Sequence, residues 1–247
     1  MSKMVWANPE SHNWLGVWTL YKREVRRFAK IYTQTMLAPV VTTLLFLAVF
    51  SLAIGSRAES LVGGVVFLEF LAPGLIMMAI AQNAFGNTSS SIVIAKIQGN
   101  IVDTLMPPFT PDELTLAIAL GGATRGIAVG LSVTFAMSFF VNLQIQSVYF
   151  IIFHGFMASL MLSLLGLVGG ICSVKFDHIA AVTNFIVTPL SFLSGTFYSI
   201  QQLPDLAQKL AHFNPFFYMI DGFRYCFIGQ ADGSIKAGII YLSILSF

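Results

Sequence analysis

The stretch IQGNIVDTLMPPFTPDEL, Ile97 to Leu114, separates two long apolar runs and carries a Gly-Asn pair, three prolines and three acids. A tight connection between helices needs only a few residues, so this segment is a structure in its own right. Its prolines divide it. Lys96 to Leu105 is predicted to form a short helix. Met106-Pro107-Pro108 stops it, because proline lacks a backbone donor and biases the preceding residue away from the helical region. Thr110-Pro111-Asp112-Glu113 then reads as a helix start, with Thr110 as N-cap, Pro111 at the first helical position and Glu113 three residues on, completing a capping box. Two readings stand side by side: a rigid element that receives force or a partner, and a loop that happens to be ordered.

The flanks of this stretch set the class. The 247 residues are 56% hydrophobic and 10% charged, with a mean hydropathy of +0.80. Soluble domains carry about 25% charged residues, so the chain reads as an all-α integral membrane protein. Ile31–Ser56, Phe70–Ala95, Gly126–Val174 and His178–Pro204 contain no Asp, Glu, Lys or Arg. About 20 apolar helical residues cross a hydrocarbon core. Spans are predicted near 31–54, 66–91, 114–140, 148–172 and 179–199, with the polar NLQIQS at 142–147 as a turn. Backbone exposed to lipid must bond to itself, so the spans are helices. A sixth span is expected from Ala237. Its residues up to Phe247 reach about 16 Å, roughly half a bilayer, so the span is expected to continue beyond the sequence. The whole of 1–247 reads as one transmembrane domain.

Six of the thirteen basic residues, Lys3, Lys22, Arg23, Arg26, Arg27 and Lys30, precede position 31. By the positive-inside rule they place the N-terminus in the cytoplasm. Alternation then puts 92–113 and 173–178 inside, and 55–65, 141–147 and 199–236 outside. Lys96 and Lys175 agree, while Arg57, Lys209, Arg224 and Lys236 run against it. No cleavable leader is recognised at the start. The net charge of +2 gives no reason to expect nucleic acid.

Within 13–30, Trp14, Trp18, Tyr21, Val25 and Phe28 recur at helical spacing, opposite Lys22, Arg23, Arg26, Arg27 and Lys30. Such a helix lies in the membrane interface, or is simply a basic topogenic leader. Gly122, Gly126 and Gly130 repeat every four residues on the third span, and Gly166 and Gly170 on the fourth, the pattern that lets helix backbones approach closely. Arg125 falls about eleven residues into the third span. A charge there needs a partner, a cavity or the interface, and functional and structural pairing both remain open. Glu69 is a second candidate intramembrane charge, or it marks the outer end of the second span. Pro39 and Pro73 are expected to kink or thin their helices.

Between spans five and six, Leu203, Leu206, Leu210 and Phe213 form an amphipathic run broken at Asn214-Pro215. Phe216 to Phe227 is apolar again but too short to span. It carries Asp221 and Arg224, three apart and able to pair. A re-entrant helix fits this pattern. Cys172 and Cys226 lie in no metal or redox motif, and His12, His154, His178 and His212 are scattered. No phosphate-binding P-loop, zinc-protease or serine-hydrolase motif occurs. No catalytic or metal-binding residue is therefore assigned.

FLAPGLIMM (70–78), KIQGNIVDTLMPPFTPDEL (96–114), TPLSFLSGTFYSIQQLP (188–204) and NPFFYMIDGFRY (214–225) together resemble the ABC-2 type membrane subunits of bacterial ABC exporters, in particular the YadH-type inner-membrane permeases. The resemblance runs over nearly the whole chain. It implies six spans per subunit, an inner-membrane homodimer in contact with lipid, and two separate ATP-binding subunits that hold ATP and Mg, with no cofactor on this chain. It implies that 92–112 is a coupling segment docking into the ATPase through Lys96, Gln98, Asn100, Asp103, Leu105 and Pro108. It further implies that 199–235 holds external re-entrant helices capping the exit side, with Phe197, Tyr198, Asn214, Pro215, Asp221 and Arg224. The cargo class is a lipid, lipid-linked glycan, drug or similar amphiphile. The rival expectations are an ion-coupled secondary carrier and a membrane scaffold that transports nothing.

Overall fold

A computed structural model describes residues 13–54, 61–62 and 65–246. Lys3, His12, Arg57 and Phe247, which enter the sequence reading, lie outside the described residues.

Helix α1 (Trp14–Ala29) starts at Asn13, whose side chain accepts from the Gly16 N–H at 2.9 Å. It ends with Arg26 and Arg27 in the last turn, where positive charge offsets the helix dipole. A π-helical turn (Thr33–Leu37) leads into α2 (Ala38–Ile54). A two-residue antiparallel ladder, β1 (Leu61–Val62) with β2 (Val65–Val66), precedes α3 (Phe67–Ile97). Then come α4 (Ile101–Leu105), α5 (Pro111–Met137) and α6 (Val148–Cys172). The next long helix is composite: α7 (Phe176–Val182), a second π-turn (Thr183–Val187) and α8 (Thr188–Leu193). Two short helices, α9 (Asp205–Phe213) and α10 (Pro215–Ile228), precede α11 (Ile235–Ser246). Each π-turn lies just before a proline, Pro39 or Pro189. Proline cannot donate to the carbonyl four residues back, and the widened turn falls where the regular ladder would lose that bond.

Five helical segments are long and apolar enough to cross a membrane: Thr33–Ala53, Phe67–Ile97, Pro111–Met137, Val148–Cys172 and Phe176–Leu193. The chain is thus a multi-pass helical membrane protein. α3 is the axis of the bundle, gripped between α5 and α6. The glycine runs make this grip possible. A Cβ on Gly122 would sit 2.5 Å from Ser163 Oγ and Thr88 Cγ2, and one on Gly126 3.1 Å from the Ile80 carbonyl. Gly130 faces the Ile80 side chain, Gly166 the Phe85 backbone and Gly170 the Ser89 backbone. Both runs therefore serve contacts within the chain, mainly against α3. Helix α2 and the composite α7–α8 are different. Their most apolar windows are only 11% and 17% buried, against 72% for α3, so they stand at the edge of the bundle.

Several predicted boundaries shift. The second span does not end at 91 but continues as helix to Ile97, so Lys96 belongs to α3. The helix predicted over 96–105 is split: Gly99 takes φ +74°, a conformation open to glycine, and only Ile101–Leu105 is helical beyond it. The fifth span stops at Leu193, not 199, with Gly195 again at positive φ. The sixth apolar helix begins at Ile235, not Ala237.

Candidate functional site

At one end of the bundle, the α3–α5 connection is built and clamped. The capping box forms as predicted: Thr110 Oγ1 accepts from the Glu113 N–H at 3.3 Å, and the Glu113 carboxylate accepts from the Thr110 N–H at 3.0 Å. The other carboxylate oxygen of Glu113 accepts from the Asn13 N–H at 2.7 Å. The start of α1 is thereby tied to the start of α5. Thr104, the buried residue of α4, accepts from Arg23 Nη1 at 2.9 Å. With Thr104 turned inward, α4 presents its other sides. Ile97, Val102, Leu105 and Met106 are all more than half exposed, with Gln98, Asn100, Asp103 and Pro108 also at the surface. The tip is ordered and carries exposed apolar groups around one acid.

Lys96 is not part of this tip. Its ammonium donates to the carbonyls of Gly170 at 3.0 Å, Ser173 at 3.1 Å and Ile171. Those are last-turn carbonyls of α6, which lack intrahelical donors. Within the chain, Lys96 is thus tied to the end of α6.

Helix α1 carries three strips where the sequence reading saw two. Val17, Leu20, Glu24 and Phe28 are buried, and α1 packs on α5. Trp14 and Trp18 stay exposed beside them, with Lys22 Nζ 5.3 Å over the Trp18 ring. Phe28 therefore belongs to the buried strip and not with the tryptophans. Asn13 meets Glu113 while Tyr21 bonds Thr124 at 3.0 Å, so α1 leans along about the first four turns of α5. Glu24 is 1% exposed and is held by Arg23 at 3.2 Å, Arg27 at 3.1 Å and Ser91 Oγ at 2.8 Å. Arg27 also donates to the Asn87 carbonyl at 2.7 Å. Through Glu24 and Arg27, α1 is joined to α3.

Between α2 and α3 lies a cleft of about 390 Å³, to which α5 contributes Arg125. Gln34, Thr42, Thr43, Gln82 and Asn83 supply its polar lining, and Phe46 and Leu75 close its far end. Arg125 Nη2 donates to Asn83 Oδ1 at 3.2 Å.

At the opposite end, α9 and α10 pack over the bundle. The Asn214 side chain accepts from the Phe216 N–H at 3.1 Å. It donates to the Leu190 carbonyl at 2.9 Å and to Ser194 Oγ at 2.7 Å, fastening the start of α10, where Pro215 takes the first position, to α8. Phe197 stacks on Phe50 of α2 with ring centroids 4.9 Å apart, and the Tyr198 hydroxyl donates to the Leu193 carbonyl at 3.3 Å. Asp221 and Arg224, able to pair by spacing, do not pair with each other. Asp221 accepts from the backbone N–H groups of Asp232 at 2.8 Å and Gly233 at 2.9 Å. Arg224 donates to the carbonyls of Gly195 at 2.6 Å and Phe70 at 3.3 Å, with its guanidinium 3.8 Å over the Phe70 ring. Both residues are buried, and each is satisfied by backbone from a different segment. Glu69 sits in the first turn of α3, where a carboxylate complements the helix dipole. It lines a small cavity with Asn142, Gln144 and Gln146 of the α5–α6 turn. It marks the start of α3.

Residues 16–228 match the ABC-2 type transporter family. The chain belongs to it. Curated relatives agree along the full length. An Escherichia coli K12 protein named inner membrane transport permease YadH is 37% identical over 236 residues, 95% of this chain and 92% of its own. Nodulation protein J of Sinorhizobium fredii is 26% identical over 97% of this chain and 90% of its own, and that of Rhizobium leguminosarum bv. viciae 23% over 94% and 90%.

For an ABC-2 chain the tip at 97–106 and the capped start of α5 are the parts the sequence located. The Arg23–Thr104 and Asn13–Glu113 ties were missed, because nothing in a helical pattern says which side chain will cross to another helix. Glu24 did leave a signal: it stands in register with Val17, Leu20 and Phe28, which an acid on a solvated face would not.

Proposed function

We propose that this chain is the membrane subunit of an ATP-driven exporter, working as a homodimer with two separate ABC ATPase subunits that hold the nucleotide and magnesium. In this reading the α1–α4 end faces the cytoplasm of a bacterial inner membrane, as the basic residues of α1 suggest. Helix α11 begins a sixth span, and α9–α10 form a re-entrant cap on the exit side. The cargo is an amphiphile, such as a lipid, a lipid-linked glycan or a drug.

The carrying observation is the α4 tip. Exposed Val102, Asp103 and Leu105 stand on a five-residue helix, flanked by exposed Ile97 and Met106; its inner face is bonded to α1 and the residues that follow are capped into α5. A push on the tip therefore moves α1 and α5 together. The weakly buried α2 and α7–α8 are the helices that a second copy would cover.

The test pairs the chain with a P-loop ATPase in proteoliposomes. Asp103→Cys should form a cross-link to the ATPase. Leu105→Asp should lower cargo-stimulated hydrolysis at least tenfold without loss of membrane insertion. Normal coupling in Leu105→Asp, with no cross-link from position 103, would remove the ATPase-docking role.

A further inference from the structure

The basic residues packed into this bundle are matched to acceptors, with one exception. Arg27 is paired with Glu24 at 3.1 Å. Lys96 gives its ammonium to three carbonyls, and Arg224 has two carbonyls and an aromatic face. Arg125 has a single amide oxygen, Asn83 Oδ1 at 3.2 Å. Its Nε is buried with no hydrogen-bond partner among the described residues. None of the described residues lining its cleft is acidic. A cation left in that state at membrane depth is costly, and the cost falls once an anion arrives.

The cleft has the shape of the molecule that would bring one. Arg125 precedes the end of α5 at Met137 by twelve positions, about 18 Å of helix. With a hydrocarbon core of about 30 Å, the guanidinium lies roughly 12 Å inside the boundary on the α1 side, a depth that a headgroup reaches only by entering the cleft. Around it stand neutral amides and hydroxyls, Gln34, Thr42, Gln82 and Asn83, which can donate to anionic oxygens. Beyond them the lining turns apolar at Phe46 and Leu75. Gln34 and Thr42 are exposed at the rim, so the cleft is open between α2 and α3. Its volume of about 390 Å³ suits a headgroup with its first few carbons.

We infer that this cleft is an anionic-headgroup subsite: a phosphate ester, sulfate or carboxylate of an amphiphile sits on the Arg125 guanidinium with its chain toward Phe46 and Leu75. This rests on the permease function proposed above and narrows its cargo class to acidic amphiphiles. The planar guanidinium, which spends one bond on Asn83, is the charged donor array that such oxyanions prefer.

The test is direct binding to the purified full chain in dodecyl maltoside, with no ATPase present. Failure of the ATPase pairing would thus leave its result standing. Dodecyl phosphate is titrated and bound ligand is counted by native mass spectrometry, with thermal unfolding in parallel. Dodecanol and inorganic phosphate are the comparison arms, separating tail and free anion from the two together. Dodecyl phosphate should bind and raise the unfolding temperature. Dodecanol and inorganic phosphate should each bind at least tenfold more weakly. Arg125→Gln should weaken dodecyl phosphate roughly ten- to a hundredfold, the range a charge-assisted hydrogen bond carries. Arg125→Lys should retain part of the binding. Asn83→Asp supplies an internal carboxylate to Arg125 with little change of shape, and should weaken binding by the same range even if Arg125→Gln fails to fold. Equal binding of inorganic phosphate or dodecanol, no binding of dodecyl phosphate, or unchanged binding in Asn83→Asp would each overturn the assignment.

Discussion

The Asn13 N–H donates to the Glu113 carboxylate at 2.7 Å, across one hundred positions of sequence. The same carboxylate accepts from the Thr110 N–H at 3.0 Å, so one side chain closes the N-termini of two helices. A hydrogen bond to a charged group is worth about 1.5–3 kcal/mol, and here both helix starts lose one while keeping their N-cap side chains, Asn13 and Thr110. Glu113→Ala should therefore lower the unfolding temperature and speed amide exchange at Asn13 and Thr110 together. Glu113→Gln, which keeps the acceptor oxygen but not the charge, should do so less. Faster exchange confined to Thr110 would show that α1 is seated by its buried strip alone.

Lys96 and Leu105 are nine residues apart and should separate cleanly in experiment. Lys96→Met strips donors from the Gly170, Ile171 and Ser173 carbonyls. Its effect should be local loosening, seen as faster amide exchange in the last turn of α6, with ATPase coupling largely kept. Leu105 is 60% exposed and holds no such contact, so Leu105→Asp should leave unfolding unchanged and act on coupling. Lys96→Met abolishing ATPase coupling with α6 exchange unaltered would give Lys96 the coupling role instead.

What could be read ahead of the structure follows from how local each signal is. The fourth span was placed at its two end residues, Val148 and Cys172, because a charge-free run is bounded by a polar turn on one side and Lys175 on the other. The capping box at Thr110 was legible for the same reason: both partners lie within four residues. The 96–105 helix was misjudged because a glycine's choice of positive φ at 99 leaves no trace in a helical pattern. For Asp221 and Arg224 the spacing was no guide, because it says only that two side chains can meet. Nearby backbone at Asp232 and Gly233, and distant backbone at Phe70 and Gly195, satisfies each of them first. The α2–α3 cleft needs two helices in register, and only Arg125 announced it.

Gly166 and Gly130 belong to runs that look alike in sequence, yet alanine should act on them differently. At Gly166 an added Cβ meets the Phe85 carbonyl at 2.4 Å and Thr88 Oγ1 at 2.3 Å. The carbonyl is helix backbone and cannot step aside, so α3 and α6 must separate, and overpacking of this kind costs about 1–3 kcal/mol. At Gly130 the near atoms are Cγ1 and Cδ1 of Ile80, side-chain atoms that can give way where backbone cannot. Alanine also gains about 1 kcal/mol of helix propensity there. Gly166→Ala should clearly lower the unfolding temperature in detergent, and Gly130→Ala should lie near the wild type. The reverse order would mean that α5, not α6, is the tighter neighbour of α3.

The two cysteines report whether α10 is packed as described. Cys226 is fully buried, and its Sγ–H donates to the Gly222 carbonyl at 3.0 Å. Burial pushes its thiol up to about 12, and the thiolate is the form that attacks an electrophile. Cys172 ends α6 with its side chain exposed. At pH 8, N-ethylmaleimide should therefore add once to the folded chain, at Cys172. A second addition, at Cys226, should follow only on unfolding. The sign with pH is fixed: raising the pH toward 9 leaves the Cys226 thiol protonated and its reaction slow, so only opening of α10 can expose it. Peptide mapping by mass spectrometry reads both sites. Comparable rates at the two cysteines would show that α10 samples open positions in detergent, and would detach the Arg224 contacts to Phe70 and Gly195 from the resting state.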